Sequence, residues 1–133
     1  LLDTSIVSLL LREEPATTAR LASLPSTDRL MCCTIVRGEI LYGIERLPRG
    51  KKRRELHTKA ERILATLPCE PIPEGAAEVY ARFKADLEGR GTRLDENDLW
   101  IAATAVAMQA TLVSSDTDFR RLSSHLVIEN WAT

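Results

Sequence analysis

The sequence predicts an α/β domain with a mainly parallel sheet and helices on both faces. Three observations carry that prediction. Short apolar runs of strand length alternate with longer helical patterns along the chain. The stretch Leu99 to Met108 is apolar on nearly every side, broken only by Thr104, and a helix of that kind is buried. The run Thr111-Leu112-Val113-Ser114 that follows it is too short to be anything but an internal strand.

Taken in order, Leu1-Leu2 reads as the tail of a first strand, with Asp3-Thr4-Ser5 as the turn after it. Chain of this kind leaves a few strand residues to be expected upstream. Ile6 to Leu11 continues as a short helix that Asp3 is suited to cap. Pro15 fits a first helical turn, and Ala16 to Leu24 gives a second helix ended by Pro25. Leu30 to Cys33 is the next strand, and Thr34 is placed to cap the helix after it. Val36, Ile40, Ile44 and Leu47 make one apolar stripe on that helix, with Glu39 at its border. Gly43, one turn from Glu39, is costly in a helix and is read as leaving room beside that acid. Pro48 to Lys52 is a break, and Lys51 to Leu67 a long helix with Leu56, Ala60, Ile63, Leu64 and Leu67 on one side. Cys69 to Pro73 is an edge or irregular strand, because its prolines donate nothing to a ladder. Glu74 to Glu88 is a helix with Ala77, Val79, Tyr80, Phe83 and Leu87 inward, stopped by Gly89 and Gly91. Asp95 opens the buried helix. Phe119 to Leu122 is a short helix, and Leu126 to Glu129 a last strand.

With 133 residues, residues 1–133 make a single domain that buries roughly two thirds of its unfolded surface. No internal repeat, linker or low-complexity tract divides it. The net charge of −1 gives no global attraction to nucleic acid or membrane, so electrostatic arguments must be local. No apolar run approaches the ~20 residues that span a bilayer, and no signal-peptide pattern is present, so a cytoplasmic setting without membrane contact is expected. Cys32, Cys33 and Cys69 lack metal-ligand spacing, and adjacent cysteines on a strand point to opposite faces; all three are read as reduced small hydrophobes. His57 and His125 are read as surface residues, and Glu45, Glu88 and Glu96 as solvated.

The chemistry lies in the remaining acids. Ligand sites of open parallel sheets form beyond the carboxyl ends of the strands. Asp3 directly follows the first strand, and Asp116 follows the Thr111 strand. Glu39 lies in the helix leaving the Leu30 to Cys33 strand. Asp98 is in the first turn of a helix whose start faces the end of the strand it leads into. Four carboxylates thus converge from four separated places. Two of them ~5 Å apart repel by roughly 3 kcal/mol at an effective dielectric near 20, so either some are protonated or a cation sits among them. Oxygen-only donors suit hard cations, Mg²⁺ or Mn²⁺, and such an ion activates water against a phosphodiester. Asp3 and Asp98 also suit helix capping, which is compatible with the same role. Between Asp116 and Asp118, one is read as a ligand and the other as the cap of the short helix, with Asp116 favoured as ligand.

LLDTS at the start, TIVRGEILYGI around Glu39, NDLWIAATA around Asp98, LVSSDTDF around Asp116 and LVIENW near the end occur in an order that spans nearly the whole chain. In these pieces the chain resembles PIN-domain ribonucleases of the VapC type, the toxins of VapBC toxin–antitoxin pairs. The resemblance implies a three-layer α/β/α sandwich around a mainly parallel sheet of four or five strands. It implies a metal-dependent endoribonuclease with Asp3, Glu39, Asp98 and Asp116 as its catalytic acids, Asp3, Asp98 and Asp116 holding the metal. Thr4 and Ser114, and Asp118 as the alternative fourth acid, are implied close by. A homodimer and neutralisation by a small VapB-like antitoxin are implied as well. Apolar surface around Ile6 to Leu11 and Leu21 to Leu24 is one place for such a partner, unless it is core or dimer interface.

Lys51, Lys52, Arg53 and Arg54, with Arg46 and Arg49, form the densest charge run. Positive charge is unfavourable at a helix start, which motivates RNA phosphate contacts by Lys51 to Arg54; no stacking aromatic lies beside them. Two other classes compete. A PIN-like domain that binds RNA or protein without cutting has no reason to keep a repelling acid cluster. A phosphotransfer or phosphatase domain would need a second acid near LLDTS, as in D-x-D, and no P-loop pattern is present.

Overall fold

Two parallel strand pairs are joined by the first residues of the chain. The computed structural model describes residues 1–132; Thr133, the last residue of the expected domain, lies outside them. Strand β1 (Cys32–Cys33) pairs with β2 (Cys69–Glu70), and β3 (Leu112–Val113) with β4 (Ile128–Glu129), both in parallel. Between the pairs runs Leu1–Asp3. The Leu2 amide donates to the Met31 carbonyl (2.8 Å), the Asp3 amide to the Val113 carbonyl (3.0 Å), and the Val113 amide to the Leu1 carbonyl (2.8 Å). Leu2 and Val113 form a parallel bridge. The sheet order is therefore β2, β1, Leu1–Asp3, β3, β4.

The ladders are shorter than the apolar runs suggest. Of Leu30 to Cys33 only the last two residues are in β1, and of Leu126 to Glu129 only the last two are in β4. Pro68 and Pro71 flank β2 and lack the N–H a longer ladder needs. Single bonds extend the pairing beyond the ladders, as in Ser114 amide to Glu129 carbonyl at 2.9 Å.

Six helices pack around this sheet: α1 (Thr4–Leu11), α2 (Pro15–Ala22), α3 (Thr34–Glu45), α4 (Lys51–Thr66), α5 (Ala76–Gly89) and α6 (Glu96–Ala107), with a 3₁₀ turn at Thr117–Leu122. Successive strand residues point to opposite faces. Leu1 and Leu2, Cys32 and Cys33, and Leu112 and Val113 are all 5% exposed or less, so both faces of the central sheet are covered. The architecture is a three-layer α/β/α sandwich. No helix among the described residues is long and apolar enough to cross a membrane.

Several expected boundaries shift for local reasons. Helix α2 ends at Ala22, not Leu24, where the Ser23 hydroxyl donates to the Arg20 carbonyl (2.8 Å). Thr34 does not cap α3; it is the first helical residue, and its hydroxyl faces the Glu70 carbonyl at 3.5 Å. Helix α5 starts at Ala76, and Ala76, not Ala77, joins Val79, Phe83 and Leu87 inside, as a three-then-four spacing requires. Gly91, at φ +71°, ends it. There the Gly91 amide donates to the Glu88 carbonyl and the Thr92 amide to the Leu87 carbonyl, a Schellman closure. Helix α6 is buried as expected, with Leu99, Ile101, Ala102, Ala103, Thr104 and Ala105 inside. A Cβ built on Gly43 would meet nothing within 4 Å, so the space kept there is open. Ile6, Val7, Leu10 and Leu11 are core, which removes them from any partner surface; Leu21 and Leu24 remain half-buried. Cys32, Cys33 and Cys69 are all free, and Cys69 is exposed instead of packed.

Candidate active site

Asp3 is the fixed point of the site. It is 3% exposed. One carboxylate oxygen accepts from the Ile6 amide (3.1 Å), which caps α1, and from the Ser5 hydroxyl (2.6 Å). The other accepts from the Ser114 hydroxyl at the end of β3. Ser114 Oγ in turn accepts from the Asp116 amide (2.9 Å), and Ser5 Oγ accepts from the Ser115 amide (3.0 Å). The end of the first strand, the start of α1 and the end of β3 are thereby pinned together at the carboxyl edge of the sheet.

The other acids arrive on separate elements. Glu39 is half-buried on α3 and accepts from the Thr4 hydroxyl at 2.6 Å. Asp98 is half-buried in the first turn of α6, where Asp95 is the cap and accepts from the Asn97 amide (3.2 Å). Helix α6 is held at that end by α5. Tyr80 stacks on Trp100 with ring centroids 4.0 Å apart, and its hydroxyl donates to Glu96 (2.9 Å), which also pairs with Lys84. Glu96, read from sequence as merely solvated, is thus exposed but tied down. Asp116 caps the 3₁₀ turn by accepting from the Asp118 amide (2.9 Å), whereas Asp118 pairs with Arg121 at 3.5 Å. The capping role expected of one of these acids therefore falls to Asp116, the acid that faces the cluster.

Electrostatics shows that the acids share one region. Burial first, then the charges of Asp116, Asp95, Glu39 and Asp3, push the Asp98 carboxyl up to about 7. Burial also raises the Asp3 carboxyl above its ordinary range. Hydrogen bonds from Ser114, Ser5 and the Ile6 amide hold it back, and the charge of Asp116 adds to the rise. Among the described residues no Lys, Arg or His pairs with Asp3, Glu39, Asp98 or Asp116. Nor do any three Asp, Glu, His or Cys side chains among those residues stand close enough to clasp one ion by themselves. The donor set still fits a hard cation. It is all oxygen and carries uncompensated negative charge. Mg²⁺ is commonly held by one or two carboxylates, completing its shell with waters and substrate phosphate.

Comparison with known proteins decides the family. The PIN domain family model matches residues 1–124. The chain belongs to the PIN domain family. It is 29% identical over 133 residues to ribonuclease VapC2 of Rickettsia felis, covering 98% of this chain and 96% of that protein. It is 32% identical over 122 residues to toxin FitB of Neisseria gonorrhoeae, covering 88% and 87%. A crystal structure of VapBC2 from Rickettsia felis bound to a DNA fragment from their promoter matches it with a TM-score of 0.88 at 28% identity, over 98% of this chain and 96% of that one.

Of the site residues expected in this PIN domain, the structure gathers Asp3, Thr4, Glu39, Asp98, Ser114 and Asp116 and turns Asp118 outward. The basic run is elsewhere engaged: Arg53 pairs with Glu45 at 2.6 Å and Lys51 with Glu55 at 3.7 Å, leaving Lys52 and Arg54 exposed. Ser5 was not singled out from sequence. Its signal was its place inside the LLDTS piece, two residues past the helix cap Asp3.

Proposed function

We propose that this PIN domain is a Mg²⁺-dependent endoribonuclease and the toxin of a type II toxin–antitoxin pair. One observation supports the reading: Asp3, Glu39, Asp98 and Asp116, from distant parts of the chain, feel one another's charge at the carboxyl edge of a parallel sheet, and among the described residues no basic side chain pairs with them. The relatives support it, being named ribonuclease or toxin. Asp3, Asp98 and Asp116 would hold Mg²⁺ or Mn²⁺ directly or through waters. When bound, the ion supplies positive charge at the scissile phosphate and favours ionisation of a water. Asp3 cannot swing, because Ser5, Ser114 and the Ile6 amide fix both its oxygens. Glu39, steadied by Thr4, accepts the proton of the attacking water. Water oxygen bonds to phosphorus, the bond to the 3′-oxygen breaks, and that oxygen is protonated by solvent. The products carry 5′-phosphate and 3′-hydroxyl. Solved relatives are complexes of VapBC and of FitAcB. By that likeness the partner here is a small antitoxin; a homodimeric working unit and a cytoplasmic setting belong to the same proposal.

The test is direct. Purified chain is incubated with total cellular RNA, with Mg²⁺ and with EDTA, and the new ends are mapped. Mg²⁺-dependent cuts with 5′-phosphate ends support the reading. RNA retained but uncut in Mg²⁺ and in Mn²⁺ overturns it in favour of a binding domain.

A further inference from the structure

Two grooves lie beside the acids, one lined by Asp116 itself and the other by the residues that flank Asp98, and each contains one arginine that no carboxylate occupies. The larger is lined by Arg93, Asp95, Glu96 and Leu99 at the start of α6, with Lys84 and Arg121 across it. The smaller, about 350 Å³, is lined by Ser114, Asp116, Thr117, Arg120, Leu126 and Asn130. Its volume lies within the range of small-molecule sites. Arg120 and Arg121 are successive residues of the 3₁₀ turn, so this turn stands between the grooves. Among the described residues, neither Arg93 nor Arg120 makes an ion pair or a side-chain hydrogen bond. Their neighbours are committed instead. Arg121 pairs with Asp118 and donates to the Arg93 carbonyl (2.7 Å). Arg90 pairs with Asp86 and donates to the Arg121 carbonyl (2.9 Å). These bonds latch the α5–α6 loop to the turn and fix the backbone that carries both unpaired arginines.

We infer that Arg93 and Arg120 grip RNA phosphates on either flank of the scissile one, and that RNA enters through these grooves instead of over Lys51 to Arg54. This rests on the ribonuclease reading above. A polyanion approaching four carboxylates is repelled, and cations beside the centre offset that repulsion where it acts. Guanidinium suits phosphate through paired N–H donors. The grooves lined by the α4 run contain none of the four acids, and Arg53 there already pairs with Glu45.

The experiment measures binding of a short single-stranded RNA by fluorescence anisotropy over a series of salt concentrations, together with KM and kcat for Mg²⁺-dependent cleavage. The proteins compared are wild type, Arg93→Ala, Arg120→Ala and the paired variant Lys52→Ala with Arg54→Ala. Each groove arginine removed should raise Kd and KM about three- to tenfold with kcat within about twofold. The slope of log K against log salt should become shallower by about 0.7 for each. Arg→Lys at either position should keep the slope and recover part of the affinity. If wild type binds and cuts while the groove variants match it, or if only the Lys52 and Arg54 changes move KM and slope, this inference fails and the ribonuclease reading stands. If wild type neither binds nor cuts, both fall.

Discussion

Asp98 is where burial and like charge act on one side chain, and its removal separates chemistry from folding. Asp98→Asn keeps the shape and deletes the charge that Asp116, Asp95, Glu39 and Asp3 oppose. We expect cleavage to drop by at least about 100-fold while the metal-free melting temperature holds or rises; end-labelled RNA and a thermal melt check the two halves. Retained cleavage in this variant removes Asp98 from the mechanism. At this scale the sequence was informative where a residue's position relative to an element end fixes its direction. Asp3 after a strand, Asp116 after another and Asp98 in a first helical turn were placed at one rim by that logic alone. It was less informative where two neighbours compete. Only Arg121, three residues beyond Asp118, shows which of Asp116 and Asp118 is turned away. Ser5 was hidden for a related reason: although Asp3 is a near neighbour, the Ser115 amide that fixes its hydroxyl lies more than a hundred residues away.

Helices were legible because their evidence is internal. The apolar surround of α6 and the stripe of α3 are periodic signals that need no partner. Strand limits were not, because a ladder ends where its neighbour stops pairing, and here Pro68 and Pro71 restrict β2 to two residues. The end of α6 contains a strained position that follows from this view. Gln109 closes the helix at φ +55°, with its amide on the Val106 carbonyl and the Ala110 amide on the Ala105 carbonyl. Glycine takes that conformation without the Cβ clash, although its freer unfolded chain returns part of the gain. Gln109→Gly should therefore stabilise the protein by about 0.5–1 kcal/mol, measured by urea unfolding with an unchanged m-value. A loss of stability would show that the Gln109 side chain contributes contacts worth more than the strain.

For the molecule as a whole, the acid centre should set a dependence on pH and, on the proposed metal assignment, on divalent ion. The Asp98 carboxyl lies near 7 in the folded chain and near its ordinary value, about 4, in the unfolded one. Between these values the folded state keeps a proton that the unfolded state has lost. Metal-free stability should thus fall as pH rises from about 4 to about 7 and stay reduced above, with Asp3 acting in the same direction. Mg²⁺ binding only the folded chain should restore the melting temperature at pH 8 and do much less at pH 5. Asp98→Asn should flatten both dependences. Identical melts with Mg²⁺ and with EDTA at pH 8 would dismiss the metal assignment. Asp3 has a consequence of another kind. Its two oxygens knot three segments of chain, so Asp3→Ala takes the acceptor from the Ser5 hydroxyl, the Ser114 hydroxyl and the Ile6 amide at once. A genetic selection for harmless alleles would accordingly recover Asp3 substitutions as survivors that starve the cell of folded protein. Immunoblots at equal transcript level should show Asp3→Ala several-fold scarcer than Asp98→Asn, and equal abundance would return Asp3 alleles to use as clean inactive tools.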